Sequence, residues 1–188
     1  MADVAQLFQG WQGGNAADGD ALLRELFPSL FRFFRGKASG DIDDLIQRTL
    51  LDCLESRDTV RDAGAFRAFV FSVARHRLFD RLRSELKCDA NVKLSDLSLQ
   101  QLGATPSSLL AREERQQLVD AALRRIPLDH QIALELSYWE GMKAPQIAVV
   151  LGLKATTVRA RITRARAALQ QELKAMGVDD VGMDLVPR

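Results

Sequence analysis

The chain is poor in the residues that build metal centres, disulfide frameworks and nucleophilic active sites. Among 188 residues it has two cysteines, Cys53 and Cys88, and two histidines, His76 and His130. Two thiols make no disulfide framework, and the N-terminus Met1-Ala2-Asp3-Val4-Ala5-Gln6 shows no export signal, so they read as reduced thiols of a cytoplasmic protein. The histidines lie far apart with no Cys partner pattern, so neither a metal site nor a cofactor is expected. No Ser/His/Asp order and no phosphate-cradling glycine loop is present, which argues against an enzyme. His76 sits among arginines, a poor setting for a general base. No run of about 18 apolar residues is present, so no membrane insertion is expected. No segment alternates apolar and polar residues as a strand does.

What remains is ordinary in total and uneven in arrangement. Hydrophobic residues make up 47% and charged residues 27%, with a formal net charge of +1. That composition suits a folded chain of one or two small domains. The near-zero total hides blocks of opposite sign: net −4 over 1–65, +4 over 66–87, −2 over 88–153, +5 over 154–174 and −2 beyond. Two separate basic stretches in a neutral chain suggest two patches for a polyanion.

Nearly every segment has the helical period. Val4, Leu7, Phe8 and Trp11 recur at helical spacing before the loop Gly13-Gly14-Asn15. Asp20 is expected to cap a second helix with Leu22, Leu23, Leu26, Phe27, Leu30, Phe31 and Phe34 on a broad apolar face. Pro28 inside that helix is expected to kink or split it. Asp41 caps a third, with Asp43 and Asp44 in the first turn, where carboxylates favour the positive end of the dipole. A long helix follows from about Phe66 to Ser84, apolar on one side and rich in arginine on the other. Residues 87–108 change character: single leucines alternate with Ser, Asp, Gln and Gly, and the stretch reads as a linker too apolar for a bare tether. Later helices end at Pro127 and Gly141, with Asp129 and Thr156 as candidate caps. The last four residues, Leu185-Val186-Pro187-Arg188, match a thrombin cleavage sequence and read as an added tag.

The most informative segment is Lys143–Leu169. A short helix with Pro145 at its start ends at Leu151, Gly152 makes the turn, and a second helix follows at once, as in a helix-turn-helix. Val158, Ile162, Ala165 and Leu169 recur at intervals of four, three and four, which turns them inward. Lys154, Thr156, Thr157, Arg159, Arg161, Arg164 and Arg166 fill the rest, with no acid from Lys154 to Gln171. A helix serving solubility alone mixes signs, since i,i+4 pairs stabilise it. An unmixed basic face after this turn suits a major groove, where arginine reads guanine edges and holds phosphates. Arg161 is the expected base reader and Arg164 the expected phosphate holder.

Residues Tyr138–Ala148, Gly152-Leu153 and Thr157–Arg166 resemble region 4 of bacterial sigma factors, most closely the extracytoplasmic-function (ECF) type. Asp41-Ile42-Asp43-Asp44-Leu45-Ile46-Gln47 and Phe66–Asp80 are similar to region 2 of the same family. The resemblance implies an all-α fold of two small helical domains, 1–86 and 109–176, joined by a flexible linker over 87–108 and followed by a tail, 177–188. It implies a promoter-specificity subunit, with RNA polymerase core (clamp helices of β′, flap of β), promoter DNA and an anti-sigma factor as partners. Carried over residue by residue, Asp41, Asp44, Leu45 and Gln47 would bind core polymerase. Arg67, Arg75, His76, Arg77, Asp80 and Arg81 would melt and read the −10 element. Lys154, Thr156, Thr157, Arg159, Arg161, Arg164 and Arg166 would bind the −35 element. The loop Arg57–Ala65 would hold a flipped base. Arg48, Phe69 and His76 depart from the family's usual Glu, Trp and Asn. From the residues alone, a helix-turn-helix regulator acting without polymerase, and a helical adaptor that binds no DNA, stay open.

Overall fold

The computed structural model describes residues 3–87, 92–103 and 114–178; the thrombin-like tail lies outside the described residues. The order is α1 (Val4–Gln12), α2 (Ala16–Phe34), α3 (Ile42–Glu55), two 3-10 turns (Arg57–Thr59 and Ala63–Ala65) and α4 (Phe66–Leu86). After the 3-10 turn Leu94–Asp96 come α5 (Glu114–Leu123), α6 (Leu128–Tyr138), α7 (Ala144–Leu151) and α8 (Ala155–Ala175). Among the described residues there is no strand, only an isolated bridge between Ser98 and Pro127.

Helix α2 starts four residues before Asp20, because Asn15 is its cap and accepts hydrogen bonds from the Ala17 and Asp18 amides. It also runs unbroken through Pro28. One lost hydrogen bond and a ring clash cost about 3 kcal/mol, and the neighbours Leu26, Leu30, Phe33 and Phe34 are all buried. Burying each of these contributes about 1.5–3 kcal/mol, so continuity wins, with the proline ring on the exposed side. Helix α1 crosses α2 closely at a buried glycine: a Cβ on Gly19 would come within 2.6 Å of the Trp11 ring. Asp41 caps α3 as expected, accepting from the Asp44 amide at 3.1 Å. Asp129 does not cap α6, whose cap is Pro127, and Thr156 does not cap α8, whose cap is Lys154.

The N-terminal helices pack around α4. Phe8 stacks on Phe66 at 3.9 Å between centroids, and Phe33 meets Phe71 edge-on. In the C-terminal part, α5, α6 and α8 share a core of Val119, Leu123, Ile126, Leu134, Ala165 and Leu169. Leu128, Ile132, Leu136, Ile147 and Val158 turn the other way and join the apolar core of the N-terminal helices, with α7 packed on α4. The leucines of the intervening stretch pack inside the chain: Leu94 and Leu99 are buried in that shared core. The Leu128 amide donates to the Leu97 carbonyl, and the Gln100 amide to that of Arg124.

Candidate polymerase and promoter surfaces

Three helical faces carry the residues singled out in the sequence. On α3, Asp44 is half-buried and accepts from Arg48 Nε at 2.9 Å. Arg48, the departure from the family pattern, therefore neutralises the acid beside it. Gln47 and Arg48 are exposed and Leu45 is buried, so Leu45 holds the helix that displays the others. The same face continues into Leu51, 54% exposed, and Leu54. Sequence reading missed Leu51 and put Leu54 on one apolar stripe with Leu45, Ile46, Leu50 and Cys53, whereas Leu54 is exposed. The signal for Leu51 and Leu54 was their spacing, four and seven residues after Gln47, which puts them on its side of the helix rather than on the core stripe.

On α4 most of the arginines are engaged by carboxylates. Arg77 makes a two-pronged pair with Asp52, at 2.6 and 2.5 Å, and this hydrogen-bonded pairing raises its pKa. Arg81 donates to Glu85 and to the Ser39 carbonyl. Arg67 pairs with Glu140, and Arg75 with Asp129 at 2.9 Å. Arg75 also lies over the Phe79 ring at 4.2 Å. His76 and Asp80 are exposed. Arg77 and Arg81 thus brace α4 against α3 and the chain after α2, whereas Arg67 and Arg75 reach α6 and the turn after it.

The loop before α4 is held from the N-terminus. Gln12 Nε2 donates to the Arg57 and Val60 carbonyls at 3.1 and 3.0 Å, and Arg57 stacks over Trp11 at 5.2 Å. Two main-chain acceptors fixed by one amide hold the loop's shape while Asp58, Thr59, Arg61 and Asp62 stay exposed.

The helix-turn-helix has the expected local chemistry. Pro145 sits in the first turn of α7, and the Lys143 amide donates to Gln146 Oε1 at 2.9 Å. Gly152 takes φ 65°, a left-handed turn that suits glycine, and its amide closes α7. Val158, Ala165 and Leu169 are buried. Lys154, Thr156, Arg159, Arg164 and Arg166 are exposed and Thr157 is half-buried. Arg166 lies over the Tyr138 ring at 5.8 Å. Arg161 differs from the other arginines: its side chain is 17% exposed and donates to Asp129 at 2.6 Å. Asp129 therefore receives Arg161 of the recognition helix and Arg75 of α4 on its two oxygens. Among the described residues no group of His, Cys, Asp and Glu is placed to hold a metal ion, and no helix is long and apolar enough to cross a membrane.

Comparison with known proteins places the chain in a family. The family model "Sigma-70 region 2" matches residues 20–87, and "Sigma-70, region 4" matches residues 116–169. The ECF RNA polymerase sigma factor SigL of Mycobacterium tuberculosis is 32% identical over 173 residues, 88% of this chain and 96% of the relative. The ECF RNA polymerase sigma-E factor of Escherichia coli is 24% identical over 146 residues, 73% of this chain and 76% of the relative. Among solved structures, CnrH in complex with the cytosolic domain of CnrY has the same fold, with TM-score 0.66 and 23% identity over 92% of this chain and 97% of that one. The sigma factor RpoE of Bartonella quintana, in complex with the anti-sigma factor NepR, gives TM-score 0.63 and 23% identity over 84% and 97%. Region 2 falls on α2–α4 and region 4 on α5–α8, which separates this chain from a lone helix-turn-helix regulator and from an adaptor: it belongs to the ECF group of the sigma-70 family.

Proposed function

We propose that this sigma subunit divides promoter-directed initiation among its three faces. The exposed side of α3, with Asp44, Gln47, Arg48 and the leucines 51 and 54, docks on core polymerase. An exposed leucine pair beside polar groups is the composition of a small protein interface, with apolar anchors inside a polar rim. The arginine side of α4, with the pinned loop Arg57–Ala65 beside it, takes the opened −10 strand, because arginine neutralises the backbone of an unstacked strand. The outer face of α8 takes the −35 duplex. The observation that supports this reading is the joint match of region 2 to α2–α4 and of region 4 to α5–α8 in one chain.

Within α8 the exposed arginines, Arg159 and Arg164, reach a groove without first breaking an ion pair, and Arg161 does not. We therefore place base reading on Arg159, keep Arg164 on a phosphate, and give Arg161 the task of bracing α8 on α6. An anti-sigma factor is a further proposed partner, since two structural neighbours are described in complexes, one naming an anti-sigma factor. Run-off transcription with core polymerase on genomic promoter fragments tests the whole. Specific transcripts are expected with the full chain and not with core alone. Leu51→Asp should lower core binding at least tenfold with the helical signal intact, and unchanged pull-down would move the docking surface off α3.

A further inference from the structure

Helix α1 lies ahead of the region 2 match, which begins at residue 20, yet it is tied to the loop in front of α4. Gln12, its last residue, is exposed and fills no core. Its side-chain amide has two N–H donors. One goes to the Arg57 carbonyl at 3.1 Å and one to the Val60 carbonyl at 3.0 Å. Those carbonyls bracket the 3-10 turn Arg57–Thr59, and the next residue is Arg61. Trp11 adds a second clamp, because its indole packs against Gly19 and the Arg57 guanidinium lies over the ring. Phe8 stacks on Phe66 and fixes α1 against the start of α4. Val60 and Ala63, both buried, anchor the loop on either side of Arg61 and Asp62.

Arg61 differs from the other arginines between 57 and 83. Arg57 pairs with Asp58, Arg67 with Glu140, Arg75 with Asp129, Arg77 with Asp52, Arg81 with Glu85 and Arg83 with Asp80. Arg61 is exposed and, among the described residues, has no ion pair or hydrogen bond through its side chain. Asp62 beside it accepts from the Gly64 amide at 2.9 Å instead. An unpaired guanidinium meets a phosphate without first giving up a carboxylate, and here it stands on a loop whose main chain is clamped. The same loop carries Asp58 and Asp62, whose carboxylates repel phosphate. It therefore offers one backbone contact, at Arg61, rather than a track of them.

We propose that Arg61 holds a phosphate of the opened −10 strand and that Gln12 of α1 is the positioning residue that fixes where Arg61 stands, so that α1 takes part in base selection. It rests on the reading that the loop Arg57–Ala65 takes the opened strand. Clamping the Arg57 and Val60 carbonyls fixes the main chain that leads into Arg61. Without Gln12 these carbonyls turn to water, the loop gains conformations, and the strand itself has to order Arg61 on binding. The separation between the held phosphate and the wall of the loop is then no longer fixed, and one base is no longer favoured over the others by fit.

The test uses the full chain assembled with core polymerase. The probe is a pool of single-stranded DNA randomised in sequence and carrying 4-thiothymidine. Arg61→Ala should weaken binding of the pool about fivefold and lower its log–log salt slope by about 0.7, the value of one single-strand contact; unchanged affinity and slope overturn the proposal. Gln12→Met keeps the side-chain length and loses both donors. It should weaken binding about threefold in the wild-type background and leave Arg61→Ala unaffected, since such a cycle isolates what one residue does through another. Equal loss in both backgrounds is what a merely structural role gives, and it overturns the proposal. Sequencing the bound pool supplies the other readout: Gln12→Met should flatten the base preference at one position, and a preference kept at every position overturns the part given to α1. Both side chains are exposed, so neither substitution opens the core. Crosslinks of the thiobase locate the strand. If none map to residues 57–65, the reading of the loop fails and the proposal with it. Crosslinks within 57–65 together with an unchanged Arg61→Ala overturn the proposal and leave that reading standing.

Discussion

His130 follows Asp129 on α6 and is half-buried, and burial with Arg161 and Arg164 nearby holds its pKa below the usual 6.5, while Asp129 and Asp96 oppose the shift. The unfolded chain therefore takes up a proton that the folded chain resists. Above pH 6.5 both states are neutral at this site and stability is unaffected. Below it, stability falls until the pH passes the folded-state value, where the loss is complete. The urea midpoint should thus fall as the pH drops below about 6.5, and His130→Gln should flatten that dependence; an equally steep profile in the variant would place the titrating group elsewhere. Cys53 presents the opposite case of a group removed from chemistry. Burial first, and the Asp52 charge second, push its thiol up to about 12. Alkylation at mildly alkaline pH should spare Cys53 in the folded chain and reach it in urea.

At the scale of elements, close crossings and ion pairs decide what each helix can display. Gly19 lets α1 lie against α2, and α1 in turn holds the Arg57–Val60 loop through Gln12. Gly19→Ala forces Trp11 aside and should cost about 1–3 kcal/mol, the range for overpacking. Its effect on transcription should be strongest on duplex promoters and smaller on pre-melted ones; equal loss on both would mean that α1 acts on binding alone. Helix α8 divides its arginines in a way that mutants will separate. Arg164→Ala should weaken all −35 variants alike and lower the salt slope by about one, and Arg159→Ala should cost about 1–3 kcal/mol at one base position. Arg161→Ala should instead lower thermal stability, because it strips Asp129 of one partner, and a base-specific defect would return base reading to it. Helix α3 uses its own i,i+4 pair: Arg48 screens Asp44 on the face proposed for docking, so Arg48→Glu should change the salt dependence of core binding more than Arg48→Ala.

For the whole molecule, apolar burial joins the N-terminal and C-terminal helices. The shared core of Ile132, Leu136, Ile147 and Val158 with the N-terminal helices gives their packing its stability, and the ion pairs at its edge fix its orientation. Removing one partner of the Lys37–Glu135 pair leaves a buried charge and should cost about 3–5 kcal/mol, measured as a fall in the cooperative unfolding midpoint of Lys37→Ala. Burial keeps the Glu135 carboxyl above its usual range in spite of Lys37, which fits a pair held by its surroundings rather than by water. Limited trypsin digestion should cut the chain slowly between 92 and 103, where Leu94 and Leu99 are buried; rapid cleavage there would mean that this stretch does not pack with the helices in solution.

Much of this protein follows from local order along the chain. The helical period placed the long helices, Gly152 and Pro145 placed the helix-turn-helix, and the absence of acids between Lys154 and Gln171 marked the face for a polyanion, because each signal lies within a few turns of itself. Caps were less legible: Asn15 rather than Asp20 starts α2, and Asp129 is drawn from capping by two arginines. Only the tertiary structure decided which charges meet. Arg75 and Asp129 are 54 residues apart, Arg67 and Glu140 are 73 apart, and Arg32 and Glu140 are 108 apart. Periodicity carries no information at those separations. Such partners are chosen by the burial of Ile132, Leu136 and Ile147 against α4 and its neighbours, which brings the acids of α6 over the arginines because both lie on the edges of the apolar faces that the core aligns.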